Sequence, residues 1–192
     1  MSQSFANRFY LVRHAYAEWV PDEMRPLSEQ GKADAERVAD ILAGEKFAAV
    51  YSSPYRRARE TVEPLAQRLG MTVAEMADLR ERSLGTEWEA DWEATIRPTW
   101  EDFSFAYPDG GETNAEALER AKRAYLELSH RHRDEAVVVA THGNLLVLIL
   151  RVLDPSRGFD FWRSLSLPDI YRLDVAADGT FDLQRLWHSN HS

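Results

Sequence analysis

Three times along this chain a short apolar run passes through a polar turn into a stretch of helical period. The runs are Phe9 to Val12, Ala48 to Tyr51 and Ala136 to Ala140, and the turns carry Arg13-His14, Ser53 to Arg57 and Thr141-His142-Gly143. Strand followed by helix followed by strand builds a parallel sheet, because the crossover returns the chain to the edge where it began. All three turns then open at the carboxyl edge of one sheet, where ligands bind in open α/β folds. Two imidazoles at such an edge, one of them beside a guanidinium, point to a site that handles an anion.

The intervening segments fit the same plan. Ser28 is an N-cap for a helix from about Glu29 to Ala43, whose Ala35, Val38, Ala39 and Leu42 recur at i, i+3, i+4 and i+7. Ser52-Ser53-Pro54 opens a second helix with the face Ala58, Thr61, Val62, Leu65 and Leu69, ending at Gly70. A short strand follows at Met71 to Glu75. The stretch from Leu84 to Asp109 is irregular, rich in acids and in tryptophan (Trp88, Trp92, Trp100), and predicts one or two short helices. Thr113-Asn114-Ala115-Glu116 is a capping box for a helix burying Leu118, Ala121, Tyr125 and Leu128. Another helix spans Asn144 to Leu153, and Ile170 to Val175 with Phe181 to Leu186 form a hairpin through Asp178-Gly179.

At 192 residues the chain suits one domain, 1–192, with a lid-like insertion at about 84–109. The absence of cysteine excludes disulfides and thiol catalysis, and no His-x-x-x-His pair marks a zinc site, so no metal is expected. The opening MSQSFANRFY lacks the basic and apolar regions of a secretion signal, and no apolar run could span a bilayer. The expectation is a cytoplasmic protein without a membrane partner. A net charge of -9 argues against nucleic acid as a partner. It also requires a local cluster of cations wherever an anionic substrate binds. Arg13, the group Arg56, Arg57 and Arg59, and the pair Arg80 and Arg82 supply candidates. His130 and His132, near a helix end, read as surface residues, and His188 and His191 as tail.

Leu11-Val12-Arg13-His14 resembles the Arg-His motif of the histidine phosphatase superfamily, which includes the cofactor-dependent phosphoglycerate mutases. Further blocks occur in that family's order. They are Pro26-Leu27-Ser28-Glu29-Gln30-Gly31, Ser52-Ser53-Pro54-Tyr55-Arg56-Arg57-Ala58, Leu79-Arg80-Glu81 with Gly85 and Trp88-Glu89, Gly110-Gly111-Glu112-Thr113, and Thr141-His142-Gly143. The resemblance extends from about residue 8 to residue 188. It implies a three-layer α/β/α fold of the phosphoglycerate mutase type, with a mostly parallel sheet and a C-terminal β-hairpin. It also implies that His14 is the nucleophile taking up a phosphoryl group, that Arg13, Arg57 and His142 hold the phosphate, and that Glu81 is the proton donor and then the base. Arg57, directly before Ala58, matches the family's arginine better than its neighbours. Neither metal nor organic cofactor is implied. Two guanidiniums and a protonated imidazole neutralise charge on the equatorial oxygens without a metal, which is most of the work in phosphoryl transfer.

The chain departs from the family pattern in its first block. Ala15 replaces a glycine, Tyr16 a glutamate, and Val20 stands where the mutases carry a phosphate-contacting asparagine. Glu87, Glu89, Asp91 and Glu93 disfavour a second phosphate nearby. These features favour a phosphatase acting on a small phosphomonoester through a phosphohistidine. The alternatives are a phosphoglycerate mutase, a phosphohistidine protein phosphatase (Arg25-Pro26-Leu27 resembles the small bacterial ones) and a catalytically silent module that binds a phosphorylated ligand. The tryptophans of the irregular stretch read either as core or, for Trp88 and Trp92, as pocket walls admitting an apolar leaving group. A homodimer is left open.

Overall fold

The runs of β-branched and aromatic residues form the central strands of a six-stranded sheet. The structure is a computed structural model in which residues 5–19, 24–85 and 91–188 are described. In chain order the elements are β1 (Asn7–Arg13), α1 (Glu29–Leu42), β2 (Ala49–Ser52), α2 (Arg56–Arg68) and β3 (Val73–Glu75), then a single 3-10 turn (Ala77–Leu79). There follow α3 (Trp92–Glu101), α4 (Asn114–Arg131), β4 (Ala136–Thr141), α5 (Gly143–Arg151), α6 (Phe159–Ser164), β5 (Asp169–Val175) and β6 (Phe181–Arg185).

The strand order is β3-β2-β4-β1-β5-β6. The first four of these are parallel; β5 and β6 continue the sheet antiparallel, which makes the C-terminal hairpin its edge. Side chains alternate between the faces of a strand, and the core divides accordingly. Phe9, Leu11, Val137 and Val139 pack toward α4 and α5, whereas Tyr10, Val12, Val138 and Ala140 pack toward α1 and α2. This is the expected three-layer α/β/α arrangement.

The topology also fixes where the site lies. The chain leaves β1 for α1 on one face and leaves the adjacent β4 for α5 on the other. Connections diverging to opposite faces open a crevice at the carboxyl ends of the two strands. Arg13 is the register partner of Thr141 there, so His14 and His142 emerge next to each other.

Several elements differ from the sequence reading. α6 was not expected, because six residues are too few to display a helical period. Trp100 and Ile96 of α3 enter the core, while Trp92 is exposed; Trp88, Glu87, Glu89, Val20 and His191 lie outside the described residues. On α4, Ala121 and Leu128 are buried but Leu118 and Tyr125 only partly so, with Ala117, Arg120 and Ala124 completing the inward face. His132 is a correction. It is buried, its Nε2 lying 2.9 Å from the hydroxyl of Tyr51 and its Nδ1 2.8 Å from Glu135. A strand residue 81 positions away in sequence draws it inward, which no local pattern shows. No helix among the described residues is long and apolar enough to cross a membrane.

Candidate active site

His14 is the first residue beyond β1, and its backbone N–H still donates to Thr141 O at 3.0 Å, extending the strand ladder by one step. Its side chain is only 8% exposed. The Nδ1 atom lies 2.7 Å from Ala15 O. A carbonyl can only accept, so Nδ1 carries the ring proton and Nε2 presents a lone pair. The Nε–H of Arg57 donates to that lone pair at 3.3 Å. Burial pushes the His14 imidazolium well below the usual histidine pKa, and the charges of Arg57 and Arg13 push it in the same direction. The ring is therefore neutral, with its free nitrogen facing cations.

His142 is the N-cap of α5 and is fully buried. Its ring centroid is 5.1 Å from that of His14 and 5.1 Å from that of Tyr55. Nε2 lies 2.8 Å from Ser53 Oγ, which itself accepts the N–H of Tyr55 at 3.2 Å. Burial lowers the pKa of His142 well below its usual value, and His14, Arg57 and Arg13 lower it further. Among these neighbours the neutral ring is favoured, and the negative charge of a bound phosphate would favour the expected cation.

Arg13 and Arg57 reach the histidines from different elements. Arg57 sits in the first turn of α2, 6% exposed, with its guanidinium carbon 4.9 Å from the Tyr55 ring centroid. Arg13 donates from Nη1 to the carbonyls of Leu165 (3.4 Å) and Ser166 (3.1 Å). Its guanidinium lies against Gly143, where an added Cβ would stand 3.1 Å from Cζ, Nε and Nη2. The other candidate arginines turn elsewhere. Arg56 pairs with Glu60, Arg59 with Glu75, Arg80 donates to Ala77 O, and Arg82 is buried near Glu112 O.

Glu81 comes to the same helix start. Its carboxylate accepts the N–H groups of Asn144 (3.1 Å) and Leu145 (3.2 Å) in α5, and of Arg82 (2.9 Å). Its charge also acts on Arg13, opposing the effect of burial on that guanidinium. The segment bearing Glu81 is anchored by buried Arg120, which donates to Asp78 O and Arg80 O and forks onto Glu112. Thr141 Oγ1 donates to Leu79 O at 2.8 Å, tying the same segment to the end of β4. Thus Arg13, His14, Arg57, Glu81 and His142, distant in sequence, converge on one edge of the sheet.

The sequence reading did not place Arg25 in the site, yet its charge acts on both His14 and His142. It sits on the loop pinned by the Ala17–Leu27 bridge, its guanidinium carbon 5.6 Å from the Trp19 ring centroid. One arginine in a loop has no periodicity to betray it. Arg13 Nε, Arg25 Nε and His142 Nδ1 are buried and make no hydrogen bond among the described residues. Buried polar atoms normally find partners, and the charges of Arg13 and Arg25 act on both histidines, so these nitrogens suit an oxyanion. A groove of about 670 Å³ lined by Arg97, Asp154, Arg157 and Phe161 lies instead beyond the far end of α5, where Arg157 pairs with Asp154. No group of acidic residues and histidines among the described residues could hold a metal ion.

The profile of the histidine phosphatase superfamily (branch 1) matches residues 9–186. The chain belongs to this superfamily. It is 31% identical over 194 aligned residues to the 2,3-bisphosphoglycerate-dependent phosphoglycerate mutase of Brucella ovis, covering 88% of this chain and 93% of that protein. It is 32% identical to phosphoglycerate mutase-like protein 4 of Arabidopsis thaliana, covering 76% of this chain and 70% of that one. Among solved structures, a mycobacterial glucosyl-3-phosphoglycerate phosphatase in complex with VO3 superposes with a TM-score of 0.75 at 25% identity, covering 95% and 99% of the two chains. The superfamily thus includes mutases and phosphatases among this chain's relatives, and the chain is of the phosphatase or mutase type.

Proposed function

We propose that the protein is a metal-independent phosphatase that hydrolyses a phosphomonoester through a phosphohistidine on His14. The observation that carries this reading is the Nδ1–H bond to Ala15 O, which leaves Nε2 unprotonated amid guanidiniums. In the first step the Nε2 lone pair attacks phosphorus and the P–O bond to the leaving group breaks. Glu81, in its protonated form, delivers its proton to the departing alkoxide and becomes a carboxylate. Arg13, Arg57 and His142 donate to the three equatorial oxygens. With Ser53 Oγ 2.8 Å from Nε2 of His142, a proton on Nδ1, the unsatisfied atom, would let Ser53 donate to Nε2 and His142 donate to the phosphate. The phosphorylated imidazole keeps its Nδ1–H on Ala15 O, which stabilises its positive charge. In the second step Glu81, now a carboxylate, takes a proton from water as its oxygen attacks phosphorus. The P–N bond breaks, phosphate leaves, and His14 regains its neutral tautomer.

Hydrolysis is favoured over mutase chemistry by Val20, which has no donor for a second phosphate, and by the acids at 87, 89, 91 and 93. The test is phosphate release from p-nitrophenyl phosphate and a panel of monoesters, beside exchange between 3- and 2-phosphoglycerate. Wild-type protein should release phosphate, and His14→Ala should lose at least about 1000-fold in kcat. Efficient exchange with negligible phosphate release would establish the mutase reading. Equal background rates for wild type and variant would favour a silent binding module.

A further inference from the structure

The hairpin at the sheet edge carries an ion pair that bears on Arg13. Asp169 begins β5 directly opposite Arg13 in the antiparallel register, so their side chains share one face of the sheet. It is fully buried, and its charge acts on Arg13. A carboxylate so placed is the obvious partner for that guanidinium. Arg13 does not take it. Among the described residues Arg13 donates only to the neutral carbonyls of Leu165 and Ser166. The carboxylate is occupied by Arg185 of β6, which forks onto it with Nε to Oδ1 at 2.9 Å and Nη2 to Oδ2 at 2.7 Å. Ser166 N–H, Ile170 N–H and the Tyr171 hydroxyl also donate to Asp169. The Nη2 of Arg185 reaches Ser166 Oγ as well, at 2.8 Å, so the pair holds the turn whose carbonyls receive Arg13.

We propose that Arg185 is a positioning residue for Arg13. By occupying Asp169 it leaves Arg13 on neutral acceptors, with its charge directed at the phosphoryl site rather than spent on the facing carboxylate. The proposal rests on the reading of Arg13 as a phosphate ligand. Without Arg185, the guanidinium of Arg13 would turn to Asp169, a bidentate partner stronger than two carbonyls. The fork matters as much as the charge, because one ammonium cannot cover both oxygens and Ser166 Oγ together.

The test is a double-mutant cycle of Arg185→Ala with Arg13→Ala, read by KM for p-nitrophenyl phosphate and by the Kd of orthovanadate, with thermal midpoints recorded in parallel. Arg185→Ala should raise both constants about tenfold in the wild-type background and leave them unchanged once Arg13 is alanine. Equal losses in the two backgrounds, or a lowered thermal midpoint with unchanged Kd, would overturn the proposal and assign Arg185 to stability alone. If Arg185→Ala does not fold, Arg185→Lys enters the same cycle, with a smaller coupled loss expected and an additive one contradicting. The vanadate arm separates this proposal from the hydrolase reading. A wild-type chain that binds vanadate but releases no phosphate defeats that reading while the Kd cycle still decides on Arg185; a chain that binds no vanadate defeats the proposal too.

Discussion

At the scale of single residues, the site depends on keeping two buried imidazoles neutral beside guanidiniums. Both His14 and His142 titrate well below the ordinary histidine value of 6.5, burial being the largest cause and neighbouring cations the next. In the unfolded chain they regain that ordinary value. Between the folded and unfolded pKa the unfolded state therefore binds more protons, so stability rises with pH and is lost as pH falls below about 6.5. The thermal midpoint should drop as pH is lowered through that range, and His14→Ala with His142→Ala should flatten the slope; an unchanged slope would show the two rings are not buried as described. Bound orthovanadate should offset part of the loss, since its negative charge favours the His142 cation. The position of His14 at the carboxyl end of β1 was legible from the apolar run before it. The neutrality of His142 was not, because it follows first from burial and then from charged neighbours contributed by β1, α2 and the Arg25 loop together.

At the scale of elements, α5 brings the parts into contact. Its N-cap is His142, its first residue Gly143 lies flat on Arg13, and its next two N–H groups hold Glu81. Gly143 has an ordinary helical start, and alanine is the better helix former, so Gly143→Ala should not lower the thermal midpoint. Its new Cβ would nevertheless press on the Arg13 guanidinium and shift it by a few tenths of an ångström. The expected cost is about tenfold in kcat/KM, and unchanged kinetics would mean that the Arg13 contact is immaterial. Most elements were readable because their signals are local. The capping box at Thr113 and Glu116 is present as the sequence states, and the all-apolar β4 is a central strand. Contacts that join distant elements left no such signal. Asp169 and Arg185 belong to neighbouring strands, Tyr51 draws His132 inward, and the short α6 carries the chain to the turn that receives Arg13.

At the scale of the whole molecule, an acidic chain presents a cationic crevice. The net charge is -9, yet Arg13, Arg57 and Arg25 all act on the two histidines. Strand order explains how, since β1 and β4 send their helices to opposite faces and leave their carboxyl ends open between them. On the proposed reading, mutase and phosphatase chemistry would share a first half-reaction in which phosphorus becomes bonded to a histidine nitrogen. The most direct measurement is therefore to quench the protein under alkaline conditions during turnover of a phosphomonoester and locate the phosphoryl group by mass spectrometry. It should be found on His14 and be lost in His14→Ala. Turnover with the phosphoryl group on another residue, or with none on the protein at any time, would contradict the account.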